Sequence, residues 1–385
     1  MNTDINDLLQ SVEWDFADTN SSNTVRSIHP YPARFIPDIP RALIRLFYPE
    51  DGSAVLDPFC GCGTTLVEAS SAGIPAIGID LHPLATLIAK VKTTPIPCSE
   101  LDQARRVVIS SAKKRLEEKS YTIPAIPRLN HWFEPPVQMS LASLIEAINE
   151  VDDVDVGDAL KVAFSSIVVR VSNQDSDTRY AAVKNGIESQ AVLTEFEKAV
   201  LVLESSLDDS NALFPRNGAR PQLITKDVLQ VEPWEFDKRV GLVITSPPYP
   251  NAYEYWLYHK YRMYWLGMDP VAVRELEIGA RPHYFKKNPF TEKHFETQMS
   301  RVFWLLSQIM QTDALACMVI GRSIIRGRVV DNELLLERAA TANAFSKVGA
   351  AYRNINIRRK SFNPANCGID KEAICIFRLE LEHAH

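Results

Sequence analysis

Ala54-Val-Leu-Asp-Pro-Phe-Cys-Gly-Cys-Gly-Thr-Thr65 decides how this chain folds. Apolar residues run into Asp57, a glycine-bearing turn follows, and Leu66-Val-Glu-Ala-Ser-Ser-Ala then has the spacing of a helix. Strand, glycine turn and helix in that order let backbone come close to a nucleotide-like ligand, with Gly61 and Gly63 as the candidates for close approach. Working outward, Pro75-Ala-Ile-Gly-Ile-Asp80 is a second short apolar strand ending in an acid, and Leu223-Ile-Thr-Lys-Asp227 is a third. In open α/β sheets an acid at the end of the second strand accepts hydrogen bonds from ribose hydroxyls, which is the role expected of Asp80.

A fourth apolar stretch, Val240 to Ile244, ends in Thr-Ser-Pro-Pro-Tyr249. Two prolines fix φ and remove two backbone donors, so the carbonyls of Ser246 and Pro247 are left to accept hydrogen bonds from a ligand. An exocyclic amino group on a flat heterocycle fits that demand. Ser246-Pro247-Pro248-Tyr249 resembles the catalytic motif of the S-adenosylmethionine-dependent DNA amino-methyltransferases, in the form that acts on N4 of cytosine. Asp57 to Thr65 is similar to the cofactor turn of the same family, and His29-Pro-Tyr-Pro-Ala-Arg-Phe-Ile-Pro37 to its segment closing over the methionine part of the cofactor.

The resemblance implies a Rossmann-like methyltransferase fold, a seven-stranded, mostly parallel α/β sheet with a helical insertion. It implies cofactor contacts from Phe35, Asp57, Phe59, Gly61, Gly63, Thr64, Asp80 and Asp227, with Asp227 facing the adenine amino group. Ser246 and the Pro247 carbonyl would hold the target amine, and Tyr249 would stack on an extruded base. Adenine-N6 methylation is the neighbouring reading, since the geometry is common to both bases and Ser246 is what favours cytosine. An RNA- or protein-amide-modifying enzyme and a catalytically silent nucleic-acid-binding protein of the same fold are further alternatives. Ring-carbon methylation needs a cysteine after a proline at the fourth strand, whereas Pro97-Cys98 follows the second.

The chain has 385 residues, 46% hydrophobic and 23% charged, as expected of a globular protein large enough for an insertion or a second domain. We expect three parts: residues 1–95 with the cofactor half, 96–218 as a helical insertion that could serve DNA recognition, and 219–385 with the catalytic half. The insertion is inferred because about 140 residues separate the second and third strands, against roughly 20–30 for a simple helical crossover. Amphipathic spacing predicts helices over Leu101–Lys119, Gln138–Asn149, Ala159–Val171 and Val192–Ser206. Within it, Val171 to Tyr180 is a polar run that reads either as a helix cap and surface loop or as base recognition through Asn173, Gln174 and Arg179. Late strands are expected at Leu315–Ile320, Tyr352–Ile357 and Ala373–Phe377, the last two forming an antiparallel edge.

Eight Tyr or Trp fall between Tyr249 and Trp265, so many must pack in a core, while Tyr253 and Tyr255 are candidates for touching substrate. The six cysteines form no Cys-x-x-Cys pair, so no metal site is expected and they read as reduced thiols. No apolar run reaches the ~20 residues of a membrane span, and the start is acidic, so a cytoplasmic location is expected. The formal net charge is −6, yet residues 320–361 carry 9 Lys+Arg against 3 Asp+Glu. Arg322, Arg326, Arg328, Arg358, Arg359 and Lys360 are therefore the candidate phosphate contacts for double-stranded DNA, with a cognate restriction endonuclease as a possible partner.

Overall fold

Strand β1 (Ala54–Asp57) is buried along its whole length, which is why its sequence is a continuous apolar run and not an alternation. The computed structural model describes residues 4–16, 28–177, 179–184, 186–211, 219–251, 254–355 and 371–380. Around β1 lie β2 (Ala76–Asp80), β3 (Gln222–Thr225), β4 (Val240–Thr245), β5 (Met310–Gly321), β6 (Phe345–Asn354) and β7 (Lys371–Leu379) in one sheet ordered β6-β7-β5-β4-β1-β2-β3. β3, β2, β1, β4 and β5 run parallel, and β7 is antiparallel to both neighbours. The order reverses between β1 and β4, the place where ligands of such sheets bind, at the carboxyl ends of the strands.

Helices of eight or more residues are numbered in chain order. α1 (Asp38–Phe47) covers one face, and α2 (Thr64–Ser71) and α3 (Pro83–Thr93) follow β1 and β2. The long connection holds α4 (Cys98–Glu118), α5 (Pro135–Asn149), α6 (Val154–Val168) and α7 (Ser189–Asn211), close to the four predicted helices. α8 (Tyr255–Trp265), α9 (Glu292–Ile309) and α10 (Asn332–Thr341) complete the set. The helices of the insertion share one hydrophobic core with α3 and α8: Leu84, Ile88, Phe164, Phe196, Tyr261 and Trp265 belong to a single cluster. Buried Arg262 of α8 adds a polar tie, reaching Asp177 and the Ser165 carbonyl.

Two expectations need correction. The sixth strand starts at Phe345, well before Tyr352, because Gly349 lets the short helix Ile5–Gln10 lie against it; a Cβ there would stand 2.9 Å from Ile5 Cγ2. Asn173 and Gln174 are buried and do not face solvent. Asn173 donates to the His131 carbonyl and to Glu134, and Gln174 to the Ser176 carbonyl, fixing the small hairpin Gln174–Ser176/Arg179–Ala182. No helix among the described residues is long and apolar enough to cross a membrane.

Candidate active site

Asp57 closes β1 and is buried, yet its carboxylate is well supplied with donors. It accepts from the Phe59 amide at 3.1 Å, Thr245 Oγ1 at 2.6 Å and Thr65 Oγ1 at 2.7 Å. Thr245 is the residue before Ser246, so Asp57 binds the cofactor turn to the start of the Ser-Pro-Pro-Tyr segment. Burial pushes its carboxyl up to about 6, against the lowering effect of these hydrogen bonds. The structure thus gives Asp57 a joining position more than an open face toward a ligand.

The glycines divide their work. Gly63 has φ +81°, and a Cβ there would lie 2.7 Å from Ala89 Cβ on α3, so its missing side chain makes room for helix packing. Gly61, at φ +49°, donates its amide to Asp80 Oδ2 at 2.8 Å, and its vacant Cβ position faces the Tyr31 ring. Asp80 also accepts from the His82 amide at 2.8 Å. Burial raises its carboxyl to about 6. These two amides fix Asp80 at the carboxyl end of β2.

Phe59 is half-buried beside the turn, while Thr64 is buried in the first turn of α2. Asp227 is buried after β3, accepts from the Leu229 amide at 3.0 Å, and has its carboxyl raised by burial. Phe35 packs against the core cluster that contains α1 residues; from the same segment it is Tyr31 that reaches the cofactor turn. Behind that turn lie His29, His82 and His259, all buried, with His82 pushed down to about 3 by burial.

Ser246, Pro248 and Tyr249 are partly exposed past the end of β4, and Pro247 is buried. The Tyr249 hydroxyl donates to Glu372 Oε1 at 3.0 Å, and Arg353 holds the other oxygen of Glu372 at 2.6 Å. Burial, then the Glu372 charge, keeps the Tyr249 phenol well above its usual range and therefore protonated. After the motif, the Asn251 amide donates to the Gly279 carbonyl at 2.9 Å, and a Cβ on Gly279 would stand 2.5 Å from the Tyr249 carbonyl oxygen. Buried Glu277, raised to about 8 by burial, accepts from the Tyr255 and Trp256 amides at the start of α8.

Thr245, Tyr31, Glu277 and Glu372 were not among the candidates read from the sequence. Thr245, by its place beside Ser246, and Tyr31, by its place in the His29–Pro37 segment, carried a local signal; Glu277 and Glu372 carried none. Tyr255 is half-buried and stands 5.9 Å from the Tyr31 ring, while Tyr253 lies outside the described residues. The Cys98 thiol contacts the Glu204 carbonyl between α4 and α7 and is raised by burial. Among the described residues no group of His, Cys, Asp and Glu could hold a metal.

Of the predicted phosphate contacts, Arg322, Arg326 and Arg328 are exposed on the hairpin Ser323–Ile325/Arg328–Val330, which follows β5 at the same edge of the sheet as the motif. Arg358, Arg359 and Lys360 lie outside the described residues. The basic excess of this region is smaller than its count suggests, since Arg338, Lys347 and Arg353 are each in ion pairs with glutamates.

Sheet order, switch point and acid-ended strands are those of the Rossmann-like methyltransferase fold, and Gly61 and Asp80 stand at the carboxyl ends of its first two strands, where sheets of this kind take a nucleotide-like cofactor such as S-adenosylmethionine. Residues 3–90 match the family model described as DNA methylase. The chain is 31% identical over 284 residues to the type II methyltransferase M.MvaI of Kocuria varians, covering 68% of this chain and 62% of that protein. It is 26% identical over 285 residues to the type II methyltransferase M.BsoBI of Geobacillus stearothermophilus, covering 66% and 56%. The chain therefore spans about three fifths of the length of these relatives. The matches bear out the amino-methyltransferase resemblance read from the motifs.

Proposed function

We propose that the protein methylates N4 of cytosine in double-stranded DNA, as the modifying partner in a restriction–modification or related DNA-marking role. The observation that carries this reading is the joining of the glycine turn to Ser246-Pro-Pro-Tyr249 through Asp57 and Thr245, across the switch between β1 and β4. The family model described as DNA methylase, together with relatives named type II methyltransferases, supports DNA as the substrate; a cognate restriction endonuclease is part of the proposal.

S-adenosylmethionine, when bound, supplies the electrophilic methyl group. In this reading Asp80 accepts from the ribose hydroxyls, Asp227 faces the adenine, and Phe59 lines the turn. Ser246 and the Pro247 carbonyl accept the two hydrogens of the target amine, which frees its lone pair from the ring; the chemistry needs position more than a strong base. Tyr249, anchored by Glu372, stacks on a base turned out of the duplex. Residues 1–95 and 219–385 serve as the cofactor and catalytic parts, and 96–218 is offered as a platform for DNA.

Nucleoside analysis of DNA methylated by the purified chain tests this directly. N4-methylcytosine is the expected product. N6-methyladenine alone would move the base assignment and leave the amino-methyltransferase reading, and DNA without either would remove both.

A further inference from the structure

Between the carboxyl end of β5 and α10, the chain leaves the sheet as a hairpin built for exposure. Ser323 pairs with Val330, Ile324 with Val329 and Ile325 with Arg328, and the tip is Arg326-Gly327. Arg326 at φ 50° and Gly327 at φ 80° make the tight two-residue turn whose twist suits a narrow ribbon. Side chains alternate across the ribbon. Ser323 and Val330 are buried at its base, while Ile324 and Val329, opposite each other on the other face, are 43% and 65% exposed.

Two β-branched apolar side chains this exposed on a narrow ribbon belong to none of the described core clusters. Their surroundings are basic: residues 322–330 contain three arginines and no acid. The nearest acid in sequence, Asp331, caps α10 through the Leu334 amide. The ribbon is also tied to the catalytic segment. Asn251, two residues after Tyr249, donates its side-chain amide to the Ile324 carbonyl at 2.6 Å, and the Gly321 backbone, where the ribbon starts, lies at the Tyr249 hydroxyl.

We propose that this hairpin is a wedge for duplex DNA: Ile324 and Val329 press against the base step exposed when the target base leaves the stack, while Arg322, Arg326 and Arg328 hold the flanking phosphates. The proposal rests on the methyltransferase reading above and adds the device that lowers the cost of extrusion. Apolar side chains that enter a base step offset its unstacking, and arginines in a ribbon without acids give the wedge a partner of opposite charge.

The test uses the full chain with S-adenosylmethionine and an oligonucleotide duplex carrying the site mapped from wild-type-modified DNA. A second duplex has an abasic position opposite the target, so that its base is already loosened. The double substitution Ile324→Ser, Val329→Thr is expected to slow methylation of the matched duplex by about tenfold or more, and that of the abasic duplex by no more than about twofold. Val329→Thr alone carries the same selective loss should the double variant not fold. Arg326→Gln should lower the salt slope of binding by nearly one log-log unit on both duplexes. Equal loss on the two duplexes, or no loss on either, overturns the wedge while leaving the function intact. A wild type that methylates neither duplex nor any other DNA overturns the function itself, and the wedge with it.

Discussion

At Asp80 the proposed ribose contact can be tested through pH. Two amides hold it in place, but burial outweighs them and raises its carboxyl to about 6. If the ionised form is what accepts from the ribose, the apparent dissociation constant for cofactor should rise about tenfold between pH 7 and pH 5. Calorimetric titration across that range checks it, and Asp80→Asn should bind weakly at pH 7 with the dependence flattened. Unfolding in acid would not imitate this through the same group: an acid whose folded pKa is raised opposes folding above about 6, and that cost is relieved as pH falls toward 4. Tyr249 offers a second test at this scale. Tyr249→Phe keeps the ring and removes the bond to Glu372, so turnover should fall several-fold, about 1 kcal/mol, with cofactor affinity unchanged. Glu372→Ala, which removes the acceptor, should do the same. A loss of cofactor binding in either variant would show that the pair holds the fold and not the ring.

Elements were read from the sequence wherever one residue type has a single structural use. The apolar runs of β1, β2 and β4 end at Asp57, Asp80 and Thr245 because parallel strands buried on both faces cannot alternate. β6 was displaced because Lys347 and Gly349-Ala-Ala carry no strand signal; pairing with β7 and cover from the Ile5–Gln10 helix supply it. Site residues that depend on contact across the sheet were hidden for the same reason. Glu372 meets Tyr249 from 123 positions away, and nothing near it in sequence marks it. The glycine turn permits a graded test of what was legible. Gly52 and Gly63 both have φ near +80°, but a Cβ at Gly52 meets nothing within 4 Å, whereas at Gly63 it meets α3. Gly52→Ala should cost about 1–2 kcal/mol, for the left-handed backbone alone. Gly63→Ala adds about 1–3 kcal/mol of overpacking and should loosen the cofactor turn. Chemical denaturation orders the two; equal losses would deny Gly63 its packing role.

At the scale of the molecule, the question is whether the insertion is an attachment or a part of the catalytic body. Its length invites the first view, and its core supports the second. Phe164 of α6 and Phe196 of α7 are fully buried in the cluster that also takes in Leu84 and Ile88 of α3 and Tyr261 and Trp265 of α8. α3 begins just beyond Asp80, and α8 just beyond the Ser-Pro-Pro-Tyr segment, so each flanks the site on one side. Cofactor binding should therefore stabilise the insertion together with the sheet, in one cooperative transition. Phe164→Ala removes a side chain from the shared core and should cost about 3–5 kcal/mol, lowering that single transition as a whole. Scanning calorimetry with and without cofactor decides the matter. Two separate transitions, of which cofactor moves one and Phe164→Ala the other, would mean that the helices fold on their own and reach the site only through their ends.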